Sequence, residues 1–179
     1  MGVVTGSAER MRGADQTAKF EVLIQPLLAG AFGLAYSILG DRQAAEDAVQ
    51  EAAAKAWRSI AMLRKDASPQ PWFFAIVANQ CRDARRGSRR LVWSLSDVPE
   101  PSMGDHADEV ARDMDLERAL AHLSPQGRGL LFLRYRMDMP PSEIAEVLRW
   151  RVGTVKSRLH RTLRKLEAEL APSPMEESR

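Results

Sequence analysis

Two short runs of this chain hold side chains suited to gripping a nucleic acid, and none holds a set suited to making or breaking bonds. The first run is Val152 to Arg161, VGTVKSRLHR. Thr154, Lys156, Ser157, His160 and Arg161 put hydroxyl, ammonium, imidazole and guanidinium groups within three helical turns, as a groove-reading helix requires. The second run centres on Asn79, Arg82 and Arg86, spaced i, i+3 and i+7. Asparagine pairs with adenine edges, and arginine takes guanine or phosphate. The same face also reads as a solvated surface whose arginines favour a helix C-terminus, and the residues alone leave both readings open. His106, His122 and His160 lie far apart, with no paired nucleophile and no glycine-rich phosphate loop, so no catalytic residue is assigned and no enzyme is expected.

Helices must position both runs. In PSEIAEVLRWRVGTVKSRLHRTLRKLEAEL (Pro141 to Leu170), a short helix, SEIAEVL, meets a break at Arg149-Trp150-Arg151 before a long basic helix begins at Val152. That layout is a helix-turn-helix. Val152, Val155, Leu159, Leu163, Leu166 and Leu170 form an apolar stripe at steps of three and four. At about 100° per residue, Thr154, Ser157, Arg161 and Arg164 point away from that stripe, with Lys156, Arg158 and His160 flanking it.

Upstream, helical spacing runs from Phe20 to Leu39, and Gly40-Asp41 breaks it and can cap the next helix. That second helix, Ala44 to about Met62, carries Ala45, Ala48, Val49, Ala52, Ala56, Trp57 and Ile60 on one side. Its Asp47, Gln50 and Glu51 read, by periodicity alone, as an exposed face. Arg64 to Pro71 reads as a loop. A third helix, about Pro71 to Arg86, has Trp72, Phe73, Ile76, Val77 and Gln80 as its inner face. Ser124-Pro125 marks a strong helix start after a helical stretch from Asp113 to Leu123.

Composition bounds the class. The 179 residues are 45% hydrophobic and 28% charged, in the range of a soluble globular protein. Net charge is only +2, yet arginines crowd residues 82–90 and basic residues crowd 149–165, with Asp97, Glu100, Asp105, Asp108, Glu109, Asp113 and Asp115 between. Such polarity suggests two DNA-contacting modules rather than one uniformly basic surface. Cys81 is the sole cysteine, so no internal disulfide forms, no zinc spacing exists, no metal site is assigned, and a reducing cytoplasm fits. Neither a membrane span of ~18 apolar residues nor a signal peptide is recognised. The expected fold is all-α, two small helical domains on a flexible acidic linker: 1–16 disordered, 17–90 a first domain, 91–112 linker, with Leu91, Val92, Trp93 and Leu95 as docking points, 113–171 a second domain, and 172–179 a tail. Each domain is small enough to gain from a partner.

Together these motifs resemble the sigma-70 family of bacterial RNA polymerase sigma factors, in its extracytoplasmic-function (ECF) form with only regions 2 and 4. The resemblance rests on Gly40-Asp41, AEDAVQEAAAKAW (Ala45 to Trp57) and PWFFAIVANQCRDARR (Pro71 to Arg86) for region 2. For region 4 it rests on LSPQGRGLLFLRY (Leu123 to Tyr135), SEIAEVL and VGTVKSRLHR. It implies a two-domain helical fold, no cofactor, and as partners core RNA polymerase (β and β′ subunits), promoter DNA and an anti-sigma factor, without membrane insertion. It also implies roles: Asp47, Gln50 and Glu51 on the β′ clamp helices, Asn79, Asp83 and Arg86 around a flipped base of the −10 element held by the Arg64 to Pro71 loop, and Thr154, Lys156, Ser157, His160 and Arg161 on the −35 element. Arg158 and Arg164 are left to phosphate or solvent. The turn departs from the family pattern, with Arg149 where glycine is common and bulky Trp150-Arg151 after it. Two other readings stay open: a helix-turn-helix regulator acting without core polymerase, and a sigma-mimicking adaptor for an anti-sigma factor.

Overall fold

The computed structural model describes residues 15–64, 67–91 and 116–171, with backbone alone for 88–91. The side chains of the expected docking points Leu91, Val92, Trp93 and Leu95, and the acidic linker, lie outside the described residues. Among the described residues every regular element is helical. Helix α1 spans 15–23, α2 Leu28–Leu39, α3 Arg42–Ser59 and α4 Pro69–Leu91. Then come α5 at 116–121, α6 Pro125–Leu131, α7 Pro141–Leu148 and α8 Val152–Leu170.

Local chemistry sets these boundaries. The stretch expected as one helix from Phe20 to Leu39 is interrupted by a 3₁₀ turn, Gln25–Leu27, because Pro26 lacks the N–H that a continuous helix needs. Residues Asp15–Leu39 have the length and mean hydropathy to cross a membrane, but Ile24, Ala31, Leu34, Ala35 and Ile38 are buried among the other helices. Gly40 closes α2 in the left-handed conformation, φ 71°, which costs glycine nothing. Asp41 then caps α3 by accepting a hydrogen bond from the Ala44 N–H at 2.7 Å. Helix α4 begins at Pro69, inside the segment expected as loop, since a proline fits the first helical position. Ser124 caps α6 as expected, its Oγ accepting from the Gly127 N–H at 3.1 Å.

Small side chains bring α3 close to its neighbours. Ala45, Ala48, Ala52 and Ala56 are buried along one seam against α2 and α4. Trp57, expected on that side, instead sits at its edge, 37% exposed and edge-on to Phe20 at 5.4 Å. The inner face of α4 is wider than the expected one. Phe73 and Val77 are buried as expected, and Phe74, Ala78 and Cys81 are buried beside them; Trp72 and Ile76 are half-buried against the same core and, with Gln80, line an open cleft. Helix α4 is covered on two sides, by α2 and α3 and by α7, so a single stripe captures only part of its core. Burial pushes the Cys81 thiol up to about 12, leaving it a small, inert core residue at neutral pH.

The helix-turn-helix forms around an unusual corner. Arg149 ends α7 with φ 55°, the left-handed state that disfavours a residue with a Cβ. It persists because the Arg149 and Trp150 N–H groups bond back to Glu146 and Ala145 carbonyls at 3.3 and 2.9 Å. Arg149→Gly should therefore raise stability by about 1 kcal/mol, read as a higher urea midpoint; a lower midpoint would show that the Arg149 side chain contributes more than its backbone costs.

Candidate nucleic-acid interface

Helix α8 is fixed at its N-terminal half and free along its outer side. Val155 is buried, and Leu159, Leu163 and Leu166 are half-buried, so the expected stripe faces inward. Its two ends, Val152 and Leu170, are exposed, because α8 outlasts the small domain beneath it. Lys156, Ser157, His160 and Arg161 are all exposed and Thr154 half-exposed, on one continuous outward surface. Ser157 Oγ donates to the Thr154 carbonyl at 3.1 Å, and Arg161 Nε donates to the Ser157 carbonyl at 3.3 Å. Both side chains thus bond carbonyls of their own helix.

Arg158 does something the sequence did not show. Its guanidinium lies 4.4 Å from the centroid of Trp150, and its Nη1 donates to Gln126 Oε1 at 3.0 Å. The bulky turn residue thus gains a role: Trp150 and Arg158 clamp the start of α8 onto α6. An aromatic residue in the turn eight positions before an arginine was the available signal, but nothing in the spacing named Gln126 as the third member. At the other end of α8, His122 and Glu169 pair at 2.6 Å, and the hydrogen bond from His122 holds the Glu169 carboxyl below its usual range.

On α4, Asn79, Asp83 and Arg86 come together with Trp72, Lys55 and Gln80 in a cleft of about 570 Å³. Lys55 Nζ donates to Gln80 Oε1 at 2.6 Å, fixing one wall from α3. Asp83 and Arg86 sit 3.8 Å apart with both side chains exposed. An amide, a carboxylate, several cations and an indole around one cleft can take an unstacked base and its phosphate: the ring stacks, the amide bonds its edge, the cations hold the backbone. Lys55 escaped sequence reasoning because it arrives from another helix. Arg82, read there as part of the same face, is held half-buried. Its Nε donates to the Ala78 carbonyl at 3.1 Å, and burial together with the nearby Arg149 lowers its pKa.

Asp47, Gln50 and Glu51 are exposed on the side of α3 opposite its alanine seam. Gln43 Nε2 bonds Asp47 Oδ1 at 3.0 Å, and an Arg42–Glu46 ion pair at 2.9 Å lies one position before. The face is polar and ordered, with Asp47 and Glu51 directed outward.

Fold and surfaces together define a two-domain helical protein with a polar, cation-rich surface on each domain. Comparison with known proteins makes the class specific. Residues 23–91 match Sigma-70 region 2, and residues 113–166 match Sigma-70, region 4. The chain is 32% identical over 175 residues to the ECF RNA polymerase sigma factor SigL of Mycobacterium tuberculosis, covering 95% of this chain and 96% of that one. It is 27% identical to the RNA polymerase sigma-H factor of Pseudomonas aeruginosa, covering 92% of each. Its fold matches the sigma factor RpoE from Bartonella quintana, solved in complex with the anti-sigma factor NepR, with a TM-score of 0.74 at 24% identity over 87% of this chain and 98% of that one. It also matches CnrH, solved in complex with the cytosolic domain of CnrY, with a TM-score of 0.62 at 25% identity over 93% and 99%. The chain belongs to the sigma-70 family, as a sigma factor of the ECF type. It is a transcription initiation factor that binds core RNA polymerase and recognises promoter DNA.

Proposed function

We propose that the three surfaces divide initiation among them. Asp47, Gln50 and Glu51 of α3 dock on the β′ subunit, with the β subunit as a further contact of the factor. Asn79, Asp83 and Arg86 of α4 line the pocket for an unstacked −10 base, and Thr154, Lys156, Ser157, His160 and Arg161 of α8 enter the major groove at −35. The division runs with the domains, 17–90 for core and −10 binding and 113–171 for −35 binding, joined by residues 91–112. The protein itself carries out no reaction; binding energy gathered on both domains offsets the few kcal/mol of unstacking, and the polymerase does the chemistry. Phosphate contacts make the affinity salt-dependent. The factor works in the cytoplasm, without membrane insertion. An anti-sigma factor is its proposed regulator, supported by the likeness to a sigma factor solved with NepR.

The observation that carries this reading is the exposed Asp47, Gln50 and Glu51 face, on the domain that also holds the α4 cleft. A regulator acting without polymerase has no use for that face. Asp47→Ala with Gln50→Ala should therefore abolish co-elution with core polymerase on gel filtration while leaving helix content and −35 DNA binding unchanged. Co-elution at wild-type levels would remove the α3 face from the polymerase contact.

A further inference from the structure

The α4 cleft carries more positive charge at one corner than a DNA strand calls for. Arg82 and Arg86 of α4 line that corner with Arg149, which arrives from the turn after α7. Asp83 is the carboxylate among the lining residues. It neutralises little, since it stands 3.8 Å from Arg86 with both side chains exposed. Lys55, also in the lining, is taken up by Gln80 at 2.6 Å. Three guanidiniums thus face one weakly held carboxylate. Burial, and after it Arg149, lowers the Arg82 pKa, as happens when cations crowd without enough counter-charge.

Two further features meet at the same corner. Arg82 Nε donates to the Ala78 carbonyl at 3.1 Å, while Arg82 Nη2 is buried with no hydrogen-bond partner among the described residues. Buried donors are nearly always partnered. An anion in the cleft, with a small turn of the side chain, supplies the acceptor. Arg149 holds a left-handed backbone, φ 55°, that glycine would take without strain. The bonds that close α7 there come from main-chain N–H groups, so glycine could close it equally well. What arginine adds is an exposed cation on the cleft.

The amount of charge selects the ligand. A phosphate inside a DNA strand carries one negative charge, and a terminal phosphate about 1.5–2 at neutral pH. Three guanidiniums against one carboxylate match the terminal phosphate better. The rest of the lining runs in order along α4, with Trp72 first, Asn79 and Gln80 next, and the arginines after them. At ~1.5 Å per residue, Arg82 lies about 15 Å along the axis from Trp72. Ring, amides and guanidiniums follow the order of base, sugar and phosphate in a nucleotide. The cleft volume, about 570 Å³, is that of a small-molecule site. We propose that this chain binds a free nucleotide in the α4 cleft, its terminal phosphate among Arg82, Arg86 and Arg149 and its base on Trp72. Asn79, Asp83 and Arg86 are shared with the proposed −10 pocket, so nucleotide and promoter base exclude one another. The nucleotide site itself does not rest on that reading.

Calorimetric titration of the full chain with ADP tests the site. ADP should bind, and adenosine should not at the same concentrations. Inorganic pyrophosphate should bind several-fold more weakly than ADP, for want of stacking. Arg149→Gly and Arg82→Gln should each weaken ADP by about tenfold or more, the loss expected for one charge-assisted hydrogen bond, with helix content unchanged by circular dichroism. Arg149→Lys keeps the charge without the planar fork and should recover part of the loss. No heat from ADP at millimolar concentration would overturn the proposal, as would an ADP affinity unchanged by Arg149→Gly. Pyrophosphate as tight as ADP would overturn the nucleotide assignment by removing the base from the ligand. The single strand (dT)6, titrated in parallel, separates the remaining source of phosphate. An equal loss of (dT)6 and ADP affinity in Arg149→Gly would show that the cations hold a strand's backbone, and would also overturn it.

Discussion

Phe73→Ala should cost about 3–5 kcal/mol of stability, the range for removing a buried aromatic ring from a packed core. Phe73 is fully buried in α4, with its ring 6.4 Å from that of Phe74, in the helix that both domains contact. A loss of that size is a large part of the stability of a typical domain, about 5–15 kcal/mol. Urea unfolding followed by circular dichroism should show a much lower midpoint, and polymerase binding should fall with the folded fraction. A change under about 1 kcal/mol would mean that the core around α4 relaxes to fill the cavity, contrary to the close packing of α3's alanine seam against it.

Arg161→Ala should weaken −35 binding by about 1–3 kcal/mol if its guanidinium bonds a base edge, roughly 5- to 150-fold. Arg161 is exposed, and among the described residues its Nε bonds a carbonyl of its own helix, so the side chain can swing to DNA without breaking the fold. Two outcomes are separable by titrating salt. Loss of discrimination between matched and mismatched −35 sequences marks a base contact. A uniform loss, with the salt slope reduced by about one, marks a phosphate contact and removes Arg161 from the readers. Wild-type affinity would exclude Arg161 from the interface altogether. Arg158, by contrast, acts through Trp150 and Gln126.

How far the residues reveal the molecule depends on whether a feature is local. Helix starts were legible where a cap announced them: Asp41 before α3, Ser124-Pro125 before α6, and Val152 after the break at Arg149. The recognition helix was legible because Val155, Leu159 and Leu163 form a stripe that one neighbouring surface covers, leaving the polar side open. The inner face of α4 was legible only in part, because a helix buried on two sides has no single stripe; Phe73 and Val77 are buried as their spacing suggests, but Phe74 and Ala78 are buried too, and Gln80 lines a cleft. Long-range partners were equally hidden. Lys55 enters the α4 cleft from another helix, Gln126 meets Arg158 from 32 positions away, and Arg128 finds a carbonyl 91 positions away. No local pattern encodes such meetings. A Cβ on Gly33 would meet Phe132 and one on Gly129 would meet Ile38, so the close packing at these two glycines is equally invisible to a local pattern.

Run-off transcription with purified core polymerase decides whether this chain directs initiation at promoters. Genomic fragments supply the templates, and the 5′ ends of the products are mapped. Specific transcripts should appear that need both core and this chain, whose start sites share paired −35 and −10 sequences upstream, and that vanish with the Asp47→Ala, Gln50→Ala protein. Core polymerase that gains no specific start from the wild-type chain on any template would contradict it.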